Sequence, residues 1–463
     1  MKMMKSLLLG SAAGLVAIAG AQAADLPVKA KPVEYVKVCS AYGAGFYFIP
    51  GTDICLRVGG YVFIEAGWNA RNAVPHIYNG TLGNPLIYDR DDNRSTFRVS
   101  NSVILDARSQ TGIGTVRTYL AVGVQASTSA TIAAGIAYTP YLERAFIQFA
   151  GFTAGYAASF FDFGAFYSIY GLSSIAWHWT PLFAYTAQFG NGVSASISLE
   201  EGTGIRSKLA SNVAGSTFAG ATTTFNAYGG HEIPDIVANI RVDQAWGSAQ
   251  ISGALHQLRV NQAAANVPVG ANVAATDQFG WAVLAGIEIK TPMIAPGDSI
   301  MLQGVYSKGA VEYTGLSSNP VTGAFGIGLR NSASVGPAVD IYDAFVGGLP
   351  GTSFERTTAW SANLMFRHFW QPNLRSAFWI GYNRVEPGFN GTDNPGFGLP
   401  PIFKLTQAGG NIIWSPAPTL DLSLDVLWTR LETESCAGSA AALTTCNQSR
   451  DIWSVWTRWR RNF

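Results

Sequence analysis

The sequence predicts an all-β protein, a 16-stranded antiparallel transmembrane β-barrel, on three observations. From Cys55 to Phe463 the chain runs in segments that alternate apolar and polar residues, separated by clusters of Gly, Pro, Asn and Asp. An export leader opens the chain, and no later stretch is long and apolar enough to cross a bilayer as a helix. Charged residues make up 13% of the chain, about half the usual ~25% of soluble domains, while 12% are aromatic and 51 are Gly. A strand with one face in lipid and the other in water needs this dyad pattern and little charge.

The elements follow in chain order. Residues 1–23 read as a secretory signal peptide: Lys2 and Lys5 supply the charge, Leu7 to Ala19 the apolar run, and Ala21-Gln22-Ala23 the cleavage site. Without Lys2 and Lys5 the 30 basic residues become 28 against 29 acidic, a net charge of about −1. That balance gives no polyanion-binding surface and argues against a nucleic-acid partner. Residues 24–54, with Pro27, Pro32 and several lysines, read as a periplasmic lead-in that carries a Cys39–Cys55 loop.

Residues 55–463 form one barrel domain. The expected strands are 55–68, 94–109, 112–126, 138–150, 152–159, 179–190, 192–200, 235–246, 248–260, 278–291, 298–308, 356–370, 374–385, 402–414, 418–431 and 450–463. Leu420, Leu422, Leu424, Val426 and Trp428 alternate with Asp421, Ser423 and Asp425. Ile236, Ala238, Ile240 and Val242 alternate with Asn239, Arg241 and Asp243, and Trp360, Ala362, Leu364 and Phe366 oppose Ser361, Asn363 and Arg367. Short turns such as 110–111 and 371–373 alternate with long connections at 69–93, 201–234, 261–277, 309–355, 386–401 and 432–449. Outer-membrane barrels sort short periplasmic turns from long external loops in this way, and an even strand number returns the chain to its starting side. In the last strand Trp453, Val455, Thr457, Trp459 and Phe463 share one face, with Ser454, Arg458, Arg460 and Asn462 on the other. A terminal aromatic at Phe463 also fits the insertion signal of such barrels.

The four cysteines fall into two local pairs, Cys39 with Cys55 and Cys436 with Cys446, which the even count and exported context favour as disulfides. No C-x-x-C and no nearby His supports a zinc site, and no cofactor motif is present: the glycines at 112 and 114 are followed by Arg117 outside any βαβ unit. Asp89-Arg90-Asp91-Asp92-Asn93 fails an EF-type calcium pattern because Arg94 and Ser100 stand where Gly and Glu are required, so it reads as a solvated loop end.

The stretch Val38-Cys39-Ser40-Ala41-Tyr42-Gly43 through Cys55-Leu56-Arg57-Val58-Gly59-Gly60-Tyr61 closely resembles the alphaproteobacterial general porin family, of the Brucella and Rhizobium type. So do Glu143-Arg144-Ala145-Phe146-Ile147-Gln148-Phe149, Ser159-Phe160-Phe161-Asp162-Phe163 and the leader Lys5-Ser6-Leu7-Leu8-Leu9-Gly10-Ser11. The resemblance implies an outer-membrane homotrimer embedded in lipid, passive diffusion of small hydrophilic solutes and ions, and an inward-folded constriction loop after the fifth strand. Here that loop is Phe160 to Trp177, and it departs from an acidic loop: Asp162 is its single carboxylate among Phe160, Phe161, Phe163, Phe166, Tyr167, Tyr170 and Trp177.

A diffusion pore needs fixed charge at its narrowest ring. Alternation points Arg94, Arg98 and Arg108 inward on the second strand, Arg117 on the third and Arg144 on the fourth, which predicts a cationic patch facing Asp162 and Tyr167 at the constriction. The loop aromatics either pack against the wall or form a track for sugars or carboxylates, and packing is the preferred reading. A barrel hydrolase is disfavoured because His76, His178, His231, His256 and His368 are each isolated in sequence.

Overall fold

Alternation drives sixteen segments into one closed antiparallel sheet. The computed structural model describes residues 37–71, 74–75, 95–128, 135–164, 166–168, 174–203, 207–211, 228–260, 278–316, 341–346, 354–388, 402–434 and 449–463. The leader, the Asp89–Asn93 cluster, Arg94, Cys436 and Cys446 lie outside the described residues.

The barrel strands are β1 Cys55–Trp68, β2 Ser95–Thr111, β3 Gly114–Thr128, β4 Ile136–Phe149, β5 Phe152–Ala158, β6 Trp179–Gly190, β7 Val193–Glu200 and β8 Asp235–Gln244. They continue as β9 Gly247–Leu258, β10 Gln278–Lys290, β11 Ser299–Lys308, β12 Thr358–Gln371, β13 Leu374–Glu386, β14 Phe403–Ala417, β15 Leu420–Thr433 and β16 Ser449–Asn462. Each of the sixteen expected strands is present, with its ends within three positions of the sequence reading. The ring closes between β16 and β1, from Tyr61 opposite Asn462 to Trp68 opposite Val455, and β1 pairs in turn with β2. Closure satisfies the backbone N–H and C=O groups that an open edge would leave unpaired in lipid.

The two faces follow the period of two. On β1, Val62 and Ile64 are exposed while Tyr61, Phe63 and Glu65 between them are buried; on β16, Trp453 and Trp459 are exposed and Ser454 and Trp456 are buried. The outward apolar set is the lipid face, and the buried set lines the lumen. Tight turns join β2 to β3, β4 to β5, β6 to β7, β12 to β13 and β14 to β15 at one rim, and the longer connections start from the strand ends at the other. At the β4–β5 turn both Ala150 (φ 48°) and Gly151 (φ 88°) are left-handed, the backbone that lets a two-residue hairpin follow the strand twist.

Cys39 and Cys55 are joined by a disulfide, with Cα atoms 5.9 Å apart, and pack with Phe46 in the compact unit that ends at Cys55. In the barrel unit, a short 3₁₀ turn at Val311–Thr314 and a three-stranded sheet of Lys208–Ser211, Tyr342–Val346 and Phe354–Arg356 belong to the long connections.

Candidate functional site

The segment after β5 folds inward and is fastened by inward-facing side chains of the opposite strands. On β8, Asn239 donates to the Phe160 carbonyl at 2.6 Å and Arg241 to that of Phe163 at 3.0 Å. Gln250 on β9 donates to the Asp162 carbonyl at 3.0 Å, Asn411 on β14 to that of Tyr167 at 3.0 Å, and Asn363 on β12 to that of Ser174 at 2.8 Å. The Tyr167 hydroxyl bonds Glu288 on β10 and lies 2.7 Å from the Ser299 hydroxyl on β11. Burial, with Glu288 as its partner, pushes that phenol well up from its ordinary pKa.

Two glycines make the seat. A Cβ at Gly286 would come within 2.6 Å of the Phe163 ring, and one at Gly381 within 2.2 Å of the Ser174 hydroxyl. Only glycine lets the loop lie this close to the wall. Phe161 and Phe163 are 0% and 2% exposed and Tyr167 8%, so these rings pack against the wall.

Both ends of the loop meet in one buried latch. The Asp162 carboxylate accepts from the His178 backbone N–H at 2.7 Å and lies 3.4 Å from the His178 ring, while Glu200 lies 3.9 Å away on the other side. Glu200 also accepts from the Ser159 hydroxyl at 2.6 Å and from the Phe160 N–H at 2.9 Å. Burial opposes a charge on His178, but the Asp162 carboxylate, with Glu200 behind it, outweighs burial and pushes the imidazole up to about 9. At neutral pH His178 is therefore an imidazolium, held between the side chains of Asp162 and Glu200. Ser159 spends its proton on Glu200, so the cluster closes a loop end.

The wall formed by β16 and β1–β4 carries arginines. Arg98 binds the buried Glu65 through two nitrogens, at 2.8 and 3.0 Å, and Arg458 binds the same carboxylate. Arg108 and Arg117, cross-strand partners on β2 and β3, both clasp the buried Asp106, at 2.7 and 3.0 Å. A bulge in β4 leaves Glu143 unpaired beside Arg144, and the two side chains pair at 3.3 Å. The guanidinium groups lie over inward rings: Arg460 over Tyr61 at 4.2 Å, Arg458 over Phe63 at 4.8 Å, Arg117 over Tyr119 at 4.9 Å. Six arginines against three carboxylates leave this wall a surplus of three positive charges among the residues named.

The family model described as the porin subfamily matches residues 25–455. The chain belongs to that porin family. It is 34% identical to porin Omp2b of Brucella melitensis over 324 residues, covering 66% of this chain and 74% of that one, with the same figures for porin Omp2b of Brucella abortus strain 2308. Among solved structures it is similar in fold to the outer-membrane channel DcaP of Acinetobacter baumannii, at a TM-score of 0.58 and 16% identity over 90% of this chain and 99% of that chain. This porin is an outer-membrane, multi-pass β-barrel that forms a diffusion channel.

In this porin the expected site residues separate into groups. Arg117 joins Arg108 on Asp106, Arg98 joins Arg458 on Glu65, and Arg144 pairs with Glu143. Arg98 and Arg108 are ten positions apart on β2, roughly 33 Å along the strand, so the arginines occupy two levels where the sequence suggested one patch. Asp162 is buried in the latch with His178, and Tyr167 is bonded to the far wall. Glu65, Asp106 and Glu143 were missed. Glu65 shares the period of Tyr61 and Phe63, and Asp106 that of Arg98 and Arg108, so alternation alone could have found both. Glu143 turns inward only because of the bulge.

Proposed function

We propose that this porin conducts small hydrophilic solutes and ions past a constriction between the arginine wall and the aromatic loop, with weak cation preference or net anion preference. One observation carries the reading. The wall holds a surplus of positive charge, while the only loop carboxylate, Asp162, is committed to His178. Arg98 at one level and Arg117 at the other, with Arg144 on the same wall, set the field along one side of the channel, and Tyr167 fixes the loop on the other; Arg94 belongs to the same proposal on sequence grounds. Field lines concentrate in a narrow aqueous channel with low-dielectric walls, so a few charges act strongly on a passing ion.

A solute-selective track for sugars or carboxylates needs aromatic faces open to the lumen. The burial of Phe161, Phe163 and Tyr167 supports a packing role and thus passive diffusion. We further assign a homotrimeric state, by family resemblance, and an insertion signal at Phe463, whose N–H and carbonyl exchange hydrogen bonds with Gly60 at 3.0 Å on the closing seam. Reversal-potential measurements in a salt gradient test the charge assignment. Strong cation preference in the wild-type channel would overturn it.

A further inference from the structure

A second stretch of chain folds inward after β11. Val311, Tyr313, Thr314, Leu316 and Ile341 are each at most 1% exposed, and Val311, Leu316 and Ile341 pack with Ala359, Val385, Phe403, Leu405 and Leu431 of β12–β15. Those wall positions face the lumen, since they keep the period of Ser361, Asn363, Asn383, Gln407 and Thr429, yet they are apolar. On the outer face at the same height the polarity is reversed. Arg384 pairs with Glu434 at 2.9 Å, Arg430 pairs with Glu432 at 3.2 Å, and Lys404 pairs with Glu434. Apolar inside and charged outside is the pattern of a strand that stands in water around a dry core. A dry core cannot carry hydrated solutes.

The stretch is also fixed by polar bonds to the wall and to the constriction loop. Asn383 donates to the Thr314 carbonyl at 3.3 Å, and the Val311 N–H donates to Asp343 at 2.8 Å. The Tyr313 hydroxyl donates to Asp235 at 2.8 Å, itself held by His256 at 2.7 Å, and its ring meets Phe161 edge-on at 4.7 Å and His178 at 5.6 Å.

We propose that Val311–Leu316, with Ile341, forms a second size-determining element of this channel: it closes the β12–β15 side of the external mouth and, through Tyr313, braces the constriction loop. Solutes then pass along the arginine wall, and the exclusion limit is set by this segment together with Phe160–Trp177. The inference rests on the lumen being the permeation path.

The test compares full-length protein with two variants in planar bilayers and in liposomes challenged with neutral sugars of graded size. Val311→Ser with Leu316→Ser wets the dry core without touching the constriction loop; Tyr313→Ala removes the brace. Each variant that migrates as a heat-modifiable folded barrel should conduct about 1.5-fold to twofold more than wild type and admit larger sugars. If the double variant does not fold, Tyr313→Ala decides alone. Wild-type conductance and wild-type sugar exclusion in the folded variants would overturn the proposal. An electrically silent wild-type barrel would instead overturn the channel reading itself.

Discussion

Replacing Arg98 and Arg117 together by Ser should lower the anion-to-cation permeability ratio, and the geometry gives the size of the effect. Each arginine shares a buried carboxylate with a second arginine, so its loss leaves a neutral pair, Arg458 with Glu65 or Arg108 with Asp106. The carboxylates stay paired and the wall loses two of its surplus positive charges. An ion passing at about 5 Å feels a unit charge by about 0.8 kcal/mol in water, reduced to about 0.5 by screening in 0.1 M salt. That changes the occupancy of an anion a little over twofold and of a cation by the inverse, hence the ratio about fivefold per arginine. The mirror variant, Glu65→Gln with Asp106→Asn, should move the ratio the other way by a similar factor. The assay is the zero-current potential across a bilayer separating two salt concentrations, with heat-modifiable mobility as the folding control. No shift in the Arg variant, or a shift of the same sign in both variants, would refute the assignment of this wall to ion selectivity.

Other expectations follow from the loop and from the Cys39–Cys55 disulfide. Gly286→Val drives a side chain into the Phe163 ring and should weaken loop docking by about 1–3 kcal/mol, seen as noisier, larger single-channel currents; unchanged traces would deny the seat its role. His178 has its pKa raised from 6.5 to about 9, so its contribution to the latch, on the order of 3 kcal/mol, is complete below about pH 6.5 and lost as pH climbs through about 9. Loop fluctuations should therefore increase between about pH 8 and 10 in wild type and be pH-independent over that window in His178→Gln. Cys39→Ser with Cys55→Ser opens a link spanning 16 positions and should cost about 3 kcal/mol in resistance to thermal unfolding. Peptide mapping without reduction should recover Cys39 linked to Cys55 and Cys436 to Cys446, and a crossed link would contradict the pairing.

The strands were legible because a barrel in lipid imposes a period of two on every spanning segment, and Leu420 to Val426 or Ala238 to Val242 keep it without interruption. The inward loop was legible only through family resemblance. Nothing in the alternation of Phe160 to Trp177 says that it lies on Gly286 and Gly381, because those contacts join residues more than a hundred positions apart. The counter-charges Glu65 and Asp106 were within reach of the same parity that placed Arg98 and Arg108. The second inward segment leaves a subtler trace: on β15 the outward set changes after Trp428 to Arg430 and Glu432, while the inward set changes from Asp421, Ser423 and Asp425 to Leu427, Thr429 and Leu431. A phase reversal of this kind marks where a strand leaves lipid and begins to wrap a core, a signal that a count of alternating residues does not register.

Single-channel recording on the purified full-length protein tests the central claim most directly. A water-filled diffusion channel predicts discrete conductance steps whose size rises nearly in proportion to salt concentration, with reversal potentials in a gradient that do not favour cations strongly. A folded, heat-modifiable barrel that inserts into the bilayer and passes no current would contradict it.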